Sequence, residues 1–249
     1  MSPRQRRDQP YKYQRVAADL EQLAAGLADG ERLPVTLDEL AQMHGVSAAV
    51  ALQAAREVEA AGLIEVRHGA GMFARKFTPL LRHGSRRLSR DQWESGPGIQ
   101  AADAENRARE VDRIEVTQEQ QPPLAAAALG AGPVVVRRRR YLIDGRPVQL
   151  ATSWLPSSIA AGTRIAEPDT GPGGTYARLA ELGHAPARFG EDITARMPLP
   201  AEREALALPR GRPVLEVTRR AVTADGRTIE ITVMVLDAAA YVLSYDIQA

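Results

Sequence analysis

The sequence predicts an α+β protein of two domains: a small helical domain closed by a β-hairpin, then a larger domain built on an antiparallel sheet. Three observations predict this fold. Residues 16–58 place apolar side chains at helical spacing, residues 63–75 form two short alternating runs around a glycine-rich turn, and residues 111–249 return repeatedly to a period of two. A length of 249 residues suits two domains of ordinary size.

Three helices are predicted in the first domain. The first carries apolar residues at spacings of four, three and four, at Val16, Leu20, Leu23 and Leu27. The second begins at Thr36, because Thr36 and Glu39 have the Thr-x-x-Glu pattern of a capping box. The third begins after Ser47, a residue type that caps helices, and ends at Gly62.

A β-hairpin is predicted directly after the third helix. Residues 63–67 and 72–75 are short strands, and His68-Gly69-Ala70-Gly71 is the turn between them. The order helix, helix, tight turn, helix, hairpin is that of a winged helix-turn-helix, which we place at residues 8–76. Residues 77–110 are interpreted as a linker, because they are rich in arginine, glycine and other polar residues.

The second domain, residues 111–249, is predicted to alternate strands with short helices. Strands are expected at 111–116, 133–143, 147–154, 193–197, 214–223, 228–236 and 241–247, and helices at 123–129, 175–182 and 200–206. Two hairpins turn at Asp144-Gly145 and Asp225-Gly226, and the residues around them, 128–148 and 207–229, resemble each other. The likeness has two explanations, a structural repeat or the common sequence of hairpins with Asp-Gly turns.

Composition argues against several classes of protein. There is no cysteine, so disulfides and thiolate chemistry are excluded, and the four histidines are scattered without metal-ligand spacing. No uncharged apolar run approaches the roughly 18 residues of a membrane span, and no apolar core follows the basic N-terminus. No nucleophile–base pair or phosphate loop is visible. We therefore expect a cytoplasmic protein that is not an enzyme and has no catalytic residues, metal or cofactor.

Motifs in both domains fall in the order of a known family. In the first domain they include Arg32-Leu33-Pro34, His44-Gly45-Val46-Ser47 and Gly69-Ala70-Gly71-Met72-Phe73. In the second domain they are residues 139–148, 153–156, 174–176, 181–183 and 225–230. The first set resembles the DNA-binding domain of the GntR family, and the second resembles the UTRA effector domain of its HutC subfamily.

The resemblance implies an effector domain of chorismate-lyase-like fold, a homodimer and a palindromic operator in double-stranded DNA. It implies a transcriptional regulator, with repression as the family default. A small-molecule effector would release it from DNA by changing the spacing of the two DNA-reading domains. In the family, arginines of the strand at 133–143 hold an anionic effector, which agrees with the chemistry of the guanidinium group.

The sequence departs from the family pattern in its DNA-reading helices. Thr36-Leu37-Asp38 stands where the family carries Ser-Glu-Arg, and residues 46–52 read Val-Ser-Ala-Ala-Val-Ala-Leu where the family reads Val-Ser-Arg-x-Thr-Val-Arg. Residues 1–76 hold ten Lys or Arg and ten Asp or Glu, which is little positive charge for a DNA-binding domain. A degenerate regulator that lacks sequence-specific DNA binding and acts through protein–protein contacts therefore stays open as an alternative.

Candidate DNA contacts are polar or basic residues near the N-terminus, at the helix starts and in the hairpin turn. Gln53 can pair with adenine in a major groove, or it can belong to an ordinary solvated helix face. The full candidate set is Arg4, Arg6, Arg7, Lys12, Arg32, Thr36, Ser47, Gln53, Arg67, His68 and Gly69.

Candidate effector contacts centre on the run Arg137-Arg138-Arg139-Arg140 in a predicted strand. Alternate side chains of a strand point to opposite faces, so Arg137 and Arg139 share a face with Tyr141. The run either binds an anionic effector or forms a solvated face with ion pairs to Glu216 or Glu230. Two more candidates lie at a helix start, where free N–H groups favour anions. The candidate set is Arg139, Tyr141, Gly174, Thr175, Glu230 and Tyr241.

Overall fold

The computed structural model describes residues 11–94, 107–120 and 122–246, and the chain divides into two compact units. The first unit ends at Thr78 and also includes Leu208–Arg212, while the second unit holds the rest of the chain. Among the helices in these described ranges, none is long and apolar enough to cross a membrane.

The first unit consists of three helices and a β-hairpin, as the sequence predicts. The helices are α1 (Lys12–Ala25), α2 (Leu37–His44) and α3 (Ala48–Ala61), and the strands are β1 (Ile64–Arg67) and β2 (Gly71–Ala74). The two strands pair antiparallel. All three helices and the hairpin contribute to one apolar core, which includes Val16, Leu20, Leu40, Ala54, Val58, Ile64 and Met72.

Side-chain caps fix where α2 and α3 begin. The Thr36 hydroxyl accepts a hydrogen bond from the backbone N–H of Glu39 at 3.2 Å, and the Glu39 carboxylate accepts one from the backbone N–H of Thr36 at 2.7 Å. The Ser47 hydroxyl accepts from the backbone N–H of Val50 at 3.4 Å. The predicted capping box is confirmed, and these caps set the tight turn between the two helices.

The second unit holds the remaining helices and strands. Its strands are β3 (Leu80–His83), β4 (Arg109–Gln120), β5 (Pro133–Ile143), β6 (Arg146–Pro156), β7 (Arg188–Arg196), β8 (Val214–Val222), β9 (Thr228–Asp237) and β10 (Tyr241–Ser244). Its helices are α4 (Gly84–Arg87), α5 (Arg90–Glu94), α6 (Pro123–Leu129), α7 (Ser157–Ala160), α8 (Gly174–Glu181) and α9 (Pro200–Ala205), with a 3-10 turn at Arg164–Ala166.

Six of these strands form one sheet in the order β4-β5-β6-β9-β8-β7, and every neighbouring pair is antiparallel. The chain runs strand, helix, strand, strand twice, first as β4-α6-β5-β6 and then as β7-α9-β8-β9. The repeat suggested by the two hairpin sequences is therefore present in the strand order, and β6 pairs with β9 at the centre of the sheet.

The stretch predicted as a linker, residues 77–110, requires a correction. Residues 79–94 belong to the second unit, where β3 pairs with β10 and Trp93 of α5 is 1% exposed within an apolar core. Arg82 and Arg87, whose charge suggested a solvated linker, are buried there as well. β4 begins at Arg109, inside the predicted linker, and residues 95–106 lie outside the described ranges.

The strand predicted at 241–247 is present over Tyr241–Ser244, but it does not join the six-stranded sheet. It pairs in parallel with β3, so that Tyr241 lies opposite Leu80. The sequence did not predict β3, and the partner of the last strand therefore could not be predicted either.

Candidate functional site

A cavity of about 430 Å³ lies against one face of the six-stranded sheet, within the second unit. Side chains from β4, β5, β8 and β9 form one side of it, and the loop that leads into α8 forms another. Its charged lining residues are Arg109, Arg137, Arg139, Arg219, Asp169 and Glu230. Guanidinium groups thus outnumber carboxylates on the cavity wall.

The arginine run of β5 supplies two of these groups. Arg137 and Arg139 line the cavity together with Tyr141, as the period of two predicts. Arg139 donates a hydrogen bond to the hydroxyl of Ser153, which lies 2.7 Å from the hydroxyl of Thr232. The Arg139 side chain is therefore tied to a pair of hydroxyl groups on β6 and β9.

The other two arginines of the run face the opposite side of the sheet. Arg138 donates to Glu119 at 2.8 Å, and Arg140 donates to Asp112 at 2.8 Å. The hydrogen bond from Arg138, followed by one from Thr117, lowers the pKa of Glu119 to about 2. The ion-pair interpretation applies to this face of the run, although the partners lie on β4 and are not the predicted Glu216 or Glu230.

Arg137 holds the loop that follows α7. Its guanidinium donates to the backbone carbonyls of Ile165, Glu167 and Pro168, the last at 2.9 Å. Burial, with added repulsion from Arg139, lowers the pKa of Arg137 to about 10. Since most of its donors are already used, Arg137 shapes the wall of the cavity more than it offers a free binding group.

Arg219 of β8 reaches the cavity from the second half of the sheet. It is 4% exposed, and its guanidinium lies 5.4 Å from the centroid of the Tyr176 ring. Burial alone would lower the pKa of Arg219, but Tyr176, Glu230 and Glu191 outweigh burial and raise it. Its Nε and Nη1 have no hydrogen-bond acceptor among the described residues. Arg219 is therefore a buried, charged group with unused donors at the cavity.

Glu230 is held on the cavity wall by Tyr176, whose hydroxyl donates to the Glu230 carboxylate. Both side chains are buried, with exposures of 3% for Glu230 and 2% for Tyr176. Burial raises the pKa of Tyr176 well above its ordinary value, so the phenol stays protonated and remains a donor.

A glycine-rich loop leads into α8 at the edge of the cavity. Gly171, Gly173 and Gly174 all have positive φ, at 74°, 75° and 70°. A Cβ on Gly173 would lie 2.4 Å from the carbonyl oxygen of Trp93, so this position requires glycine for space as well as for conformation. The loop brings Gly174 and Thr175 to the cavity wall.

Glu191 of β7, which lies opposite Arg219 in the register of β7 and β8, is the acceptor for a group of buried cations. Arg82 donates to its carboxylate at 2.7 Å, Arg87 lies 3.8 Å away, and the Tyr245 hydroxyl donates at 2.8 Å. Burial alone would raise the pKa of Glu191, but Arg82, Arg219 and Arg87 outweigh burial and lower it. The ionised carboxylate thus compensates cations from three separate elements.

Five of the six predicted effector contacts line this one cavity: Arg139, Tyr141, Gly174, Thr175 and Glu230. The prediction for Tyr241 requires a correction, because Tyr241 lies on β10 opposite Leu80 and does not line the cavity. The sequence analysis did not select Arg219, although a signal existed in the repeat. Arg219 comes six positions after Pro213, the residue before β8, and Arg139 likewise comes six positions after Pro133, the first residue of β5.

The predicted DNA contacts of the first unit fall into two groups. Thr36 and Ser47 are helix caps, and their hydroxyl oxygens already accept backbone hydrogen bonds. The others are exposed, with Lys12 at the start of α1, Gln53 on α3, and Arg32, Arg67, His68 and Gly69 at or beside the hairpin. Arg4, Arg6 and Arg7 lie outside the described residues.

Two of the exposed arginines meet at the hairpin. The guanidinium of Arg67 lies 4.2 Å from the centroid of the Phe73 ring, and Arg32 forms an isolated backbone bridge with Phe73. Gly71 allows this approach, because a Cβ there would lie 3.1 Å from Nε of Arg32. Arg67 of β1 and Arg32, which precedes α2, therefore both lie beside Phe73 of β2.

Comparison with known proteins identifies both units. The UTRA domain family matches residues 104–242, which include every lining residue of the cavity. An uncharacterized HTH-type transcriptional regulator of Streptomyces coelicolor is 31% identical over 238 residues, covering 91% of this chain and 88% of that protein. A solved GntR-family transcriptional regulator aligns with 97% of this chain and 99% of its own, at 26% identity and a TM-score of 0.61.

The chain belongs to the GntR family, HutC subfamily. The GntR fold is also shared with PhnF from Mycobacterium smegmatis, at 22% identity and a TM-score of 0.57 over 94% of this chain and 99% of that one. In this GntR regulator, the first unit is the helix-turn-helix part and the cavity lies in the UTRA domain. Members of the family are transcriptional regulators and not enzymes, in agreement with the sequence analysis.

Proposed function

We propose that this GntR regulator is a repressor that binds a palindromic operator as a homodimer and leaves it when a small anionic effector occupies the UTRA cavity. The observation that carries the proposal is the pair of guanidinium groups on the cavity wall, half-buried Arg139 and buried Arg219, each with N–H donors that no described residue accepts. Buried N–H donors that lack an acceptor cost free energy, so an anion that accepts hydrogen bonds from them stabilises the form of the domain that binds it. Such differential binding is what shifts a two-state equilibrium.

The exposed face of α3 is the proposed base-reading surface. Gln53 lies on it, with Ala48 and Ala49 at the start of the helix and Glu57 one turn further on. Residues 11–76 hold seven Lys or Arg and nine Asp or Glu, a net charge of −2. We therefore infer that Arg4, Arg6 and Arg7 supply much of the phosphate-binding charge, with Arg32 and Arg67 at the hairpin.

A titration of labelled DNA from the region upstream of the gene tests the repressor. We expect saturable binding that unrelated DNA does not match, with an affinity that falls steeply between 50 and 200 mM salt. The triple variant R4A/R6A/R7A should lower the log–log salt slope by up to about 3, since each phosphate contact contributes about 0.9. An unchanged slope would show that these three arginines do not contact phosphates.

Gln53→Ala tests base reading separately from phosphate binding. We expect an affinity loss of about 10- to 100-fold for the upstream DNA and little change for unrelated DNA, because a good bidentate base contact discriminates by about 1–3 kcal/mol. Gln42→Ala is the matched control, since Gln42 is an exposed glutamine on α2. Equal effects of the two substitutions would contradict the assignment of Gln53.

The alternative function, a regulator that acts through protein–protein contacts, is favoured by the short alanine side chains at the start of α3 and by the acidic balance of residues 11–76. It predicts that the protein does not bind upstream DNA at either salt concentration. It also predicts that a pull-down with the full chain recovers a specific protein partner. Specific binding that depends on Gln53 would rule it out.

A further inference from the structure

We propose that the effector is a small monocarboxylate with an apolar body, and that Arg219 anchors its carboxylate from the side of the cavity opposite Arg139. This inference rests on the proposed effector function of the cavity. It assigns a role to a residue outside the arginine run of β5, and it narrows the effector from an anion in general to one class.

The anchor is identified by its unused donors. Among the described residues, Nε and Nη1 of Arg219 have no hydrogen-bond acceptor, and the same holds for Nε of Arg139. Both residues line the cavity, one on β8 and the other on β5. Guanidinium groups pair strongly with carboxylates, most of all where water is excluded. A carboxylate with two oxygens can therefore use donors from both sides of the cavity.

The charge of the cavity limits how much negative charge the ligand can carry. Glu230 and Asp169 line the same space, and Arg137 is already committed to three backbone carbonyls. A phosphate ester carries up to two negative charges, and the carboxylates of Glu230 and Asp169 oppose the second of them. A carboxylate carries one charge, and its two oxygens can accept from Arg139 and Arg219.

The remaining wall favours an apolar body. Val111 and Ile114 of β4 line the cavity, and in the strand register they lie opposite Tyr141 and Arg139. Together with the face of the Tyr141 ring, these side chains form an apolar stretch of the cavity wall against which the body of a ligand can pack. A planar or aliphatic body placed there would be removed from water while its carboxylate points to Arg219.

The test measures binding of defined probes to the full chain in the absence of DNA. Benzoate supplies a flat body and octanoate a flexible one, benzamide is the neutral counterpart of benzoate, and glucose 6-phosphate represents sugar phosphates. We expect at least one carboxylate at about 10 mM to raise Tm by about 2–5 °C, and calorimetry to give binding at least tenfold tighter than for benzamide or glucose 6-phosphate. Failure of both carboxylates, or tighter binding of glucose 6-phosphate, would overturn the proposal.

Substitutions then test the anchor. Arg219→Met should weaken binding of the carboxylate about 10- to 100-fold, and Arg219→Lys should weaken it less because the charge remains. Arg220→Met is the matched control, since Arg220 lies next in the strand, is 41% exposed and pairs with Asp192. If Arg219→Met does not fold, the affinities of Arg219→Lys and Arg220→Met for the carboxylate that raises Tm are compared instead. Equal affinities of these two variants, or binding of benzamide as tight as that of the carboxylate, would overturn the assignment.

The two proposals fail in different ways. A protein that binds upstream DNA but none of the carboxylates contradicts this inference and leaves the repressor intact. A protein that binds a carboxylate through Arg219 but no DNA contradicts the repressor and leaves the assignment of the anchor intact.

Discussion

Glu191→Gln is expected to lower the free energy of unfolding by about 3–5 kcal/mol, the usual effect of removing one partner from a buried ion pair. Glu191 is 4% exposed, and its carboxylate faces Arg82 at 2.7 Å and Arg87 at 3.8 Å. Glutamine keeps the size of the side chain but removes the charge, so buried cations lose their compensation. For a domain of this size, Tm should fall by roughly 10 °C, as measured by thermal and urea unfolding.

Asp192→Asn is the control for this prediction. Asp192 is the next residue on β7 and pairs with Arg220 at 2.5 Å, but it is 64% exposed. Exposed ion pairs contribute about 0–1 kcal/mol, so the control should remain close to wild type. A loss for Glu191→Gln no larger than that for Asp192→Asn would show that the buried cations do not depend on Glu191.

The same carboxylate makes stability depend on acid pH. The arginines hold the pKa of Glu191 below its ordinary value in the folded protein. Its contribution is therefore fully present above the unfolded-state pKa, about 4.3, and is lost as pH falls through the lower folded-state value. The difference in unfolding free energy between wild type and Glu191→Gln should be constant near neutrality and should narrow below about pH 4. A difference that widens in acid would contradict this sign.

Gly173→Ala is expected to be the second large effect, a loss of about 2–5 kcal/mol. The φ of 75° costs an L-residue about 1–2 kcal/mol, and a Cβ would lie 2.4 Å from the carbonyl oxygen of Trp93 and 2.5 Å from Cβ of Ala177. Relieving such overlap by moving the backbone costs about 1–3 kcal/mol more. Since Gly173 lines the cavity, the shift should also weaken binding of the carboxylate probe.

Gly183→Ala separates the two contributions. Gly183 follows α8 with a φ of 80°, and nothing lies within 4 Å of the position where its Cβ would stand. It therefore reports the conformational contribution alone, about 1–2 kcal/mol. Urea unfolding gives the loss of unfolding free energy for each variant, and the difference between the two losses is the cost of the steric overlap at Gly173. Equal losses would show that the loop relieves this overlap at no measurable cost.

Local rules predicted most of the fold. The capping box at Thr36 needs only four consecutive residues, and the two faces of β5 follow from the alternation of a strand. These predictions do not depend on which elements are neighbours in space. For the same reason the sequence predicted the strand at Tyr241 but not its partner, and the choice of Arg139 needed the resemblance to the family in addition to the alternation of its strand.

The missed features depend on contacts between distant parts of the sequence. Arg82 and Arg87 stand in a basic stretch without acids, which is typical of a solvated linker, and the carboxylate that compensates Arg82 lies 109 residues further along the chain. Arg219 joins the cavity only because β9 and β8 follow β6 in the sheet order. Neither periodicity nor composition contains that order.

The doubled strand order gives the UTRA domain an internal pseudo-dyad that passes between β6 and β9. β5 and β8 are exchanged by this approximate symmetry, and so are Arg139 and Arg219, each six positions after a proline. Two equivalent arginines thus face a ligand near the axis from opposite directions. Tyr141 and Ala221, eight positions after the same prolines, are not alike, so a ligand with one charged end and one apolar end has a single preferred orientation in an otherwise two-fold setting.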